Sequence, residues 1–303
     1  MKVAVLGPGG VGGLVAGALQ RAGTPTVVVA RESTAQLIGE RGLQVSSVRL
    51  GEFTAHPRAL TTLTEPVDAL IVATKATGLE QALGRIGSAP GLVLPLLNGL
   101  DHIALLRERF GAGTVVAGAI RVEADRPQPG VVVHTSPFLR IDMASREPAA
   151  RPGMEALAAA LEQSGIPARV RDSEPQVIWG KLVRLNALAC TTSAFDKLLG
   201  EIRSTPELRT ELVGAIEEGC AVANAEGAAI DASDPLGELN EAHATLGSSM
   251  QRDIAAGRTP ELDAIPGAVL RAAARHGLQC PTIERLVALI VARAGVPAPV
   301  VPR

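Results

Sequence analysis

Two groups of residues in this 303-residue chain could do chemistry. The first is Gly7-Pro8-Gly9-Gly10-Val11-Gly12, which fits the spacing G-x-G-x-x-G directly after a short apolar run and at the start of a helical pattern. In that context Gly7 allows a tight turn, Gly9 lets backbone N–H groups approach a pyrophosphate, and Gly12 lets the helix pack closely on the strand. The helix N-terminus then offers unpaired donors and a partial positive charge to the phosphates. Arg31 stands about 20 residues on, at the end of the second apolar run, where an acid would accept a ribose 2′-hydroxyl and a guanidinium would pair with a 2′-phosphate. Glu32 follows it, and Ser33 and Thr34 add further donors. The expectation is NADP(H) rather than NAD.

The second group is scattered. Lys75 follows the strand pattern that ends at Thr74, and Asn98 follows Gly91–Leu96. Ligands of doubly wound sheets bind at such carboxyl ends of strands. Lys181 stands near the start of a largely apolar helix, within Val177-Ile178-Trp179-Gly180-Lys181-Leu182-Val183. Glu261 comes much later, after Thr259-Pro260, with Ser248-Ser249 about a dozen residues before it. A lysine beside a carboxylate is a usable general acid, because the carboxylate orients the ammonium and desolvation tunes it. Spacing alone does not pair Lys181 with Glu261. A snorkelling lysine and a helix-capping glutamate remain open at this point.

These residues must be positioned by two kinds of structure. In the first part, short β-branched runs alternate with helical patterns. Lys2–Leu6, Thr26–Ala30, Asp68–Thr74, Gly91–Leu96 and Thr114–Ala119 read as strands, and Val11–Ala22, Leu79–Ile86 and His102–Phe110 as helices. Gln44–Val48 and Gly51–Ala55 read as a further strand or hairpin, and Val131–His134 and Phe138–Met143 as antiparallel strands. Asp125–Gly130 and Ser145–Gly153 read as loops. The alternation predicts an α/β, Rossmann-type doubly wound sheet over residues 1–172. Residues 173–303 read as an all-helical C-terminal domain. Helices are expected over Glu174–Leu199, Pro206–Glu226, Pro235–Leu246, Pro260–His276 and Thr282–Ala294, followed by a frayed tail, Val296–Arg303.

Composition narrows the function. The formal net charge is −2 and aromatic residues are 2% of the chain, so neither a basic stripe nor a base-stacking platform is expected, and with them no nucleic-acid partner. No run of apolar residues is long enough for a membrane span. Three separated cysteines, Cys190, Cys220 and Cys280, fit neither a disulfide framework nor a zinc site, and point to a reducing, cytoplasmic setting. Five scattered histidines give no metal-ligand spacing, so no metal is expected. Only four basic residues are lysines, Lys2, Lys75, Lys181 and Lys197, in a chain that otherwise uses arginine.

The motifs together resemble the ketopantoate reductase (2-dehydropantoate 2-reductase) family over nearly the full length. The resemblance is carried by Val5 to Gly13 with Arg31, by Val72-Ala73-Thr74-Lys75, and by Leu96-Leu97-Asn98-Gly99-Leu100. Trp179-Gly180-Lys181-Leu182, Ser248 to Ile254 and Arg258 to Asp263 continue it in family order. It implies NADPH-dependent reduction of a 2-oxo acid to a 2-hydroxy acid, with ketopantoate the leading substrate, in pantothenate biosynthesis. Lys181 would give a proton to the carbonyl oxygen. Glu261 would position Lys181 and touch the cofactor. Gly7, Pro8, Gly9, Gly10, Val11, Gly12, Arg31, Lys75 and Asn98 would bind the cofactor, and Ser249 with Ser248 would hold the substrate. The site would lie between a nucleotide domain and a helical domain, and a homodimer could form through the helical one. One departure stands out. The family pattern carries asparagines four and eight residues after the lysine, and this chain has Leu185 and Ala189 there. Asn186 is present, but on a helix it is rotated about 140° from Lys181. Thr191, Thr192 or Ser193 could compensate. The alternatives are a same-fold reductase of a more apolar 2-oxo acid or ketone, and an NADP(H)-binding protein without turnover.

Overall fold

The computed structural model describes residues 1–302. The chain divides into two compact units, Met1–Leu97 with His102–Val177, and Asn98–Asp101 with Ile178–Arg303. The sequence boundary at residue 172 therefore differs on two counts. The first turn of the long helix groups with the α/β unit, and the four residues Asn98–Asp101 group with the helical one.

The α/β unit begins β1 (Val3–Leu6), α1 (Gly10–Arg21), β2 (Thr26–Val29), α2 (Glu32–Arg41), β3 (Leu43–Ser47), β4 (Gly51–Ala55), β5 (Arg58–Leu60) and β6 (Ala69–Val72). It continues α3 (Leu79–Leu83), β7 (Val93–Pro95), α4 (His102–Phe110), β8 (Ala117–Arg121), β9 (Ala124–Gln128), β10 (Val131–His134), β11 (Arg140–Ala144), α5 (Arg151–Gln163) and β12 (Ala168–Arg171). The central sheet is all parallel, in the order β5-β2-β1-β6-β7. β1, β2, β6 and β7 are buried on both faces, the edge strand β5 only in part, and successive side chains feed two separate cores. Val3, Val5, Val28, Ile71 and Leu94 pack with Leu14, Val15 and Leu19 of α1. Ala4, Leu6, Val27, Val29, Leu70 and Val72 pack with Leu79, Leu83 and Leu106 on the other face. This period of two is what a strand dictates. A four-stranded sheet, β4-β3-β10-β9, and a three-stranded one, β12-β11-β8, complete the unit.

Several elements depart from the sequence reading. The stretch read as a loop at Asp125–Gly130 contains most of β9, an exposed strand that carries Pro127 and pairs only with β10. Proline is tolerated on such an edge. The first loop-like residues of Ser145–Gly153 hold, but α5 begins at Arg151 with Pro152 in its first turn, where the missing N–H costs nothing.

The helical unit contains most of α6 (Glu174–Phe195), then α7 (Leu199–Ser204), α8 (Pro206–Ala225), α9 (Ser233–Glu241), α10 (Ser249–Ala255), α11 (Ala268–Arg275) and α12 (Pro281–Ala294). Trp179, Leu182, Val183, Ala187, Leu188, Ala189 and Cys190 of α6 are buried, so α6 is the central helix of this core. The helix expected from Pro260 starts later. Residues Asp263–Gly267 form a π-helical turn containing Pro266, and regular α-helix follows from Ala268. Over residues 296–302 the tail is not frayed as expected, and Arg303 lies outside the described residues. Val296 and Val301 pack against the helical core, and the Val300 carbonyl accepts a hydrogen bond from Arg271.

Candidate active site

The glycine turn is built as the sequence reading requires. β1 ends at Leu6, Gly7 takes a φ of +88°, and α1 starts at Gly10 with Gly9 as its N-cap. The Gly7 N–H donates to the Val29 carbonyl (3.1 Å) and the Gly9 N–H to the Gly7 carbonyl (2.8 Å). The first turn of α1 has no side-chain cap and no acidic residue, so its N–H groups point outward without a competing charge. Most of the glycines are demanded by the protein itself. A Cβ on Gly12 would overlap the Gly7 carbonyl, one on Gly10 the Ala124 carbonyl, and one on Gly13 would lie 2.6 Å from Val132. Gly9 differs, because a Cβ there would meet nothing within 4 Å. Open space over a helix N-terminus is what a phosphate group would fill. Beside the turn, the Thr74 hydroxyl is buried without a partner, and its methyl lies 2.8 Å from where a Gly7 Cβ would be. An orphaned hydroxyl and an empty cradle fit a bound dinucleotide. Pro8 is buried and Val11 half-buried at the start of α1.

Arg31 is the N-cap of α2, in extended conformation, with an exposed side chain that has no hydrogen-bond or ion-pair partner among the described residues. Glu32 is also exposed, in the first turn of α2. Lys75 is exposed, just before the 3₁₀ turn Ala76–Gly78 that follows β6.

Of the second group, Lys181, Asn98 and Glu261 converge in the helical unit, whereas Lys75 belongs to the α/β unit. The Lys181 ammonium donates to Asn98 Oδ1 (2.9 Å), and Asn98 Nδ2 donates to Glu261 Oε2 (3.1 Å). The amide therefore bridges the cation and the acid. Its orientation follows from its neighbours, since an ammonium can only donate and an ionised carboxylate only accept. Three chain segments bring these groups together. Lys181 lies on the less buried stripe of α6 with Gly180, Arg184 and Leu185. Asn98 lies three residues past β7, where Gly99 at a φ of +92° packs its Cα against the Ala264 carbonyl, so that a Cβ would overlap it. Glu261, 7% exposed, lies just before the π-helical turn. The sequence reading had Asn98 only as a cofactor contact and missed its bridging place, which nothing in local spacing signals.

The other substrate candidates are not part of this cluster. The Ser248 hydroxyl is buried and caps α10, accepting from the Gln251 N–H (3.0 Å) and bonding the Thr192 hydroxyl (2.8 Å). Ser249 is exposed at the first position of α10. Asn186 is fully buried on the opposite side of α6 from Lys181, with Oδ1 taken by the Cys190 thiol (3.4 Å), so it presents no surface to a ligand. Nor do the proposed substitutes. Thr191 and Thr192 turn their hydroxyls back to the Ala187 and Leu188 carbonyls (2.7 Å each), and Ser193 is fully buried. Leu185 is half-buried against the helical core and Ala189 is buried. Among the described residues no group of His, Cys, Asp or Glu could hold a metal ion, and no helix is long and apolar enough to cross a membrane.

Residues 3–146 match the family described as ketopantoate reductase PanE/ApbA, and residues 175–294 match its C-terminal counterpart. A 2-dehydropantoate 2-reductase of Halobacterium salinarum is 30% identical, with 96% of this chain and 98% of the relative covered. One of Mycobacterium tuberculosis is 31% identical, covering 97% and 98%. Among solved structures, a D-mandelate dehydrogenase with NADH and anilino(oxo)acetate superposes with a TM-score of 0.88 at 23% identity, covering 97% of this chain and 98% of that one, a likeness of fold. The glycine turn, the Lys181–Asn98–Glu261 cluster and these matches over both units agree: the chain belongs to the ketopantoate reductase PanE/ApbA family of oxidoreductases.

Proposed function

We propose that this protein reduces a 2-oxo acid to the 2-hydroxy acid with NADPH, and that 2-dehydropantoate is the leading substrate, which would give it a role in pantothenate biosynthesis. The observation that carries this reading is the hydrogen-bonded chain from Lys181 through Asn98 to Glu261. The nicotinamide group, when bound, supplies the hydride. The α/β unit holds the dinucleotide through the α1 N-terminus, the cradle over Gly9 and the Arg31 guanidinium. The helical unit supplies the proton. Lys181 gives one to the carbonyl oxygen as negative charge develops there, a step worth 10²–10⁴-fold in typical enzymes. Asn98 fixes one of the three N–H directions of the ammonium, and Glu261 fixes Asn98 in turn. The ammonium also offers favourable electrostatics to the substrate carboxylate next to the carbonyl. Ser249, exposed at the α10 N-terminus, is the remaining candidate for the substrate.

A second reading has an observation of its own. Leu185 and Ala189 follow Lys181 on one face of α6, and the one amide of the helix beyond Lys181, Asn186, is fully buried. A site without a polar partner for a substrate hydroxyl does not select for that hydroxyl. An apolar 2-oxo acid is therefore the alternative substrate. Steady-state NADPH oxidation with 2-dehydropantoate against 2-oxo acids bearing unsubstituted branched chains tests both. A kcat/KM preference of tenfold or more for 2-dehydropantoate supports the first reading. The reverse order supports the second, and no turnover with any 2-oxo acid overturns both.

A further inference from the structure

Asn98 and Glu261 lie 163 residues apart in sequence, and something must hold their two segments in register. Arg271 of α11 meets both. Its Nη2 donates to Asp101 Oδ2 (2.6 Å) and to the Asp263 carbonyl (2.8 Å), and its Nη1 to Asp263 Oδ1 (2.7 Å). Asp101 is three residues past Asn98, and Asp263 is two past Glu261. Between the same two segments Gly99 packs its backbone on Ala264. Nη1 also donates to the Val300 carbonyl (3.0 Å), so the C-terminal tail closes over the clip, and Pro299 lies against Gly267 of the π-helical turn. The Arg271 side chain is 18% exposed, while Asp101 and Asp263 are 51% and 69% exposed at their outer sides. A planar fork can serve two carboxylates and two carbonyls from one position, which a lysine cannot do.

We propose that Arg271 is a positioning residue for proton transfer. By clipping Asp101 to Asp263 it holds Asn98 and Glu261 at the spacing that orients the Lys181 ammonium. This rests on Lys181 being the proton donor. A misplacement of about 1 Å at a reacting group can cost on the order of 10²-fold in rate. Arg271 touches none of the three groups itself, so its effect must pass through Asn98 and Glu261.

The test is a double-mutant cycle on the full chain, with Arg271→Gln, Asn98→Ala and the pair. Arg271→Gln should lower kcat roughly 10- to 100-fold, and adding it to Asn98→Ala should cost little more, since both act on one arrangement. Asp101→Asn loosens only the Asn98 side. It should lower kcat several-fold while leaving the melting temperature near wild type, which keeps the test valid if Arg271→Gln folds poorly. A readout independent of turnover comes from the four lysines. With ¹³C-methylated amines, the Lys181 resonance should shift in both Arg271→Gln and Asp101→Asn, while those of Lys2, Lys75 and Lys197 stay put. Independent, additive losses in the cycle, or an unmoved Lys181 resonance, would overturn the proposal. If Lys181→Ala and Asn98→Ala leave turnover intact, it is the proton-donor role of Lys181 that fails, and the Lys181 resonance still decides whether Arg271 sets the geometry.

Discussion

At the residue scale, the site depends on the one side chain that can face a cation and an acid at once. Asn98 presents an oxygen to Lys181 and an NH₂ to Glu261. A carboxylate at that position would repel Glu261, and a leucine would leave two buried or half-buried charges without their link. None of this could be read from spacing. Lys181 and Glu261 were legible as candidate chemistry because of their residue types and the resemblance around them, but their connection runs through a third residue from a distant strand end. Arg31 was legible for the opposite reason, since its place after β2 is local. Its exposed, unpaired guanidinium makes a specific expectation. Arg31→Ala should weaken NADPH binding by about 1.5–3 kcal/mol, the worth of a hydrogen bond to a charged group, and leave NADH nearly unchanged. Equilibrium titration of both nucleotides checks it. Equal losses for the two would remove Arg31 from the 2′-phosphate, and no loss for either would overturn the NADP(H) reading.

At the element scale, the glycine turn separates folding from binding. Gly12 is required by the Gly7 carbonyl, whereas Gly9 faces open space at a φ of −78° that any residue adopts. Gly12→Ala should therefore destabilise the fold by roughly 1–3 kcal/mol. Gly9→Ala should stay within about 0.5 kcal/mol of wild type and still lose most of its dinucleotide affinity. Thermal melts paired with nucleotide titration distinguish them, and full affinity in Gly9→Ala would contradict the cradle. The paired strands β3 and β10 carry a second expectation. His134 is buried between them, and the Ser47 hydroxyl bonds its Nδ1 (2.8 Å) while Nε2 faces the Ser136 hydroxyl (3.1 Å). Burial pushes its pKa below the ordinary 6.5, with the Arg49 charge adding to the effect. The unfolded imidazole takes up a proton near pH 6.5 while the folded one resists. Stability is thus fully present above pH 6.5 and falls with further acidification, at up to about 1.4 kcal/mol per pH unit. Melts of wild type and His134→Gln between pH 7 and 5 measure this, and an equal slope in the two proteins would count against it. The elements that escaped sequence reading did so for related reasons. Only Ala35 and Ile38 of α2 are buried, so its apolar stripe is too thin to see. The π-helical turn at Pro266 has no signature beyond a misplaced proline.

At the scale of the whole molecule, the alternation of β-branched runs and helices carried the α/β sheet, and the proline and glycine punctuation carried α8 and α12. The boundary was harder, because Asn98–Asp101 leave a β-strand and join the helical unit. A segment of four residues has no composition of its own. The tail was misread because three prolines look like fraying, whereas Val296 and Val301 are held by the helical core. That core also buries all three thiols, Cys190, Cys220 and Cys280. Burial pushes Cys220 up to about 11 and Cys280 up to about 12, with Cys190 raised further in the same direction. Since the thiolate is the reactive form, a disulfide reagent should label the native protein slowly and all three sites once the helical unit unfolds. A thiol that titrates rapidly in the native state would contradict this packing.

The central claim is that the Lys181 ammonium is the proton donor of an NADPH-dependent 2-oxo acid reductase. The most direct measurement is kcat for NADPH oxidation with the preferred 2-oxo acid in wild type and Lys181→Ala, alongside the NADPH dissociation constant of each. The account predicts a kcat loss of about 10²–10⁴-fold with cofactor affinity nearly kept. A loss smaller than tenfold would contradict it.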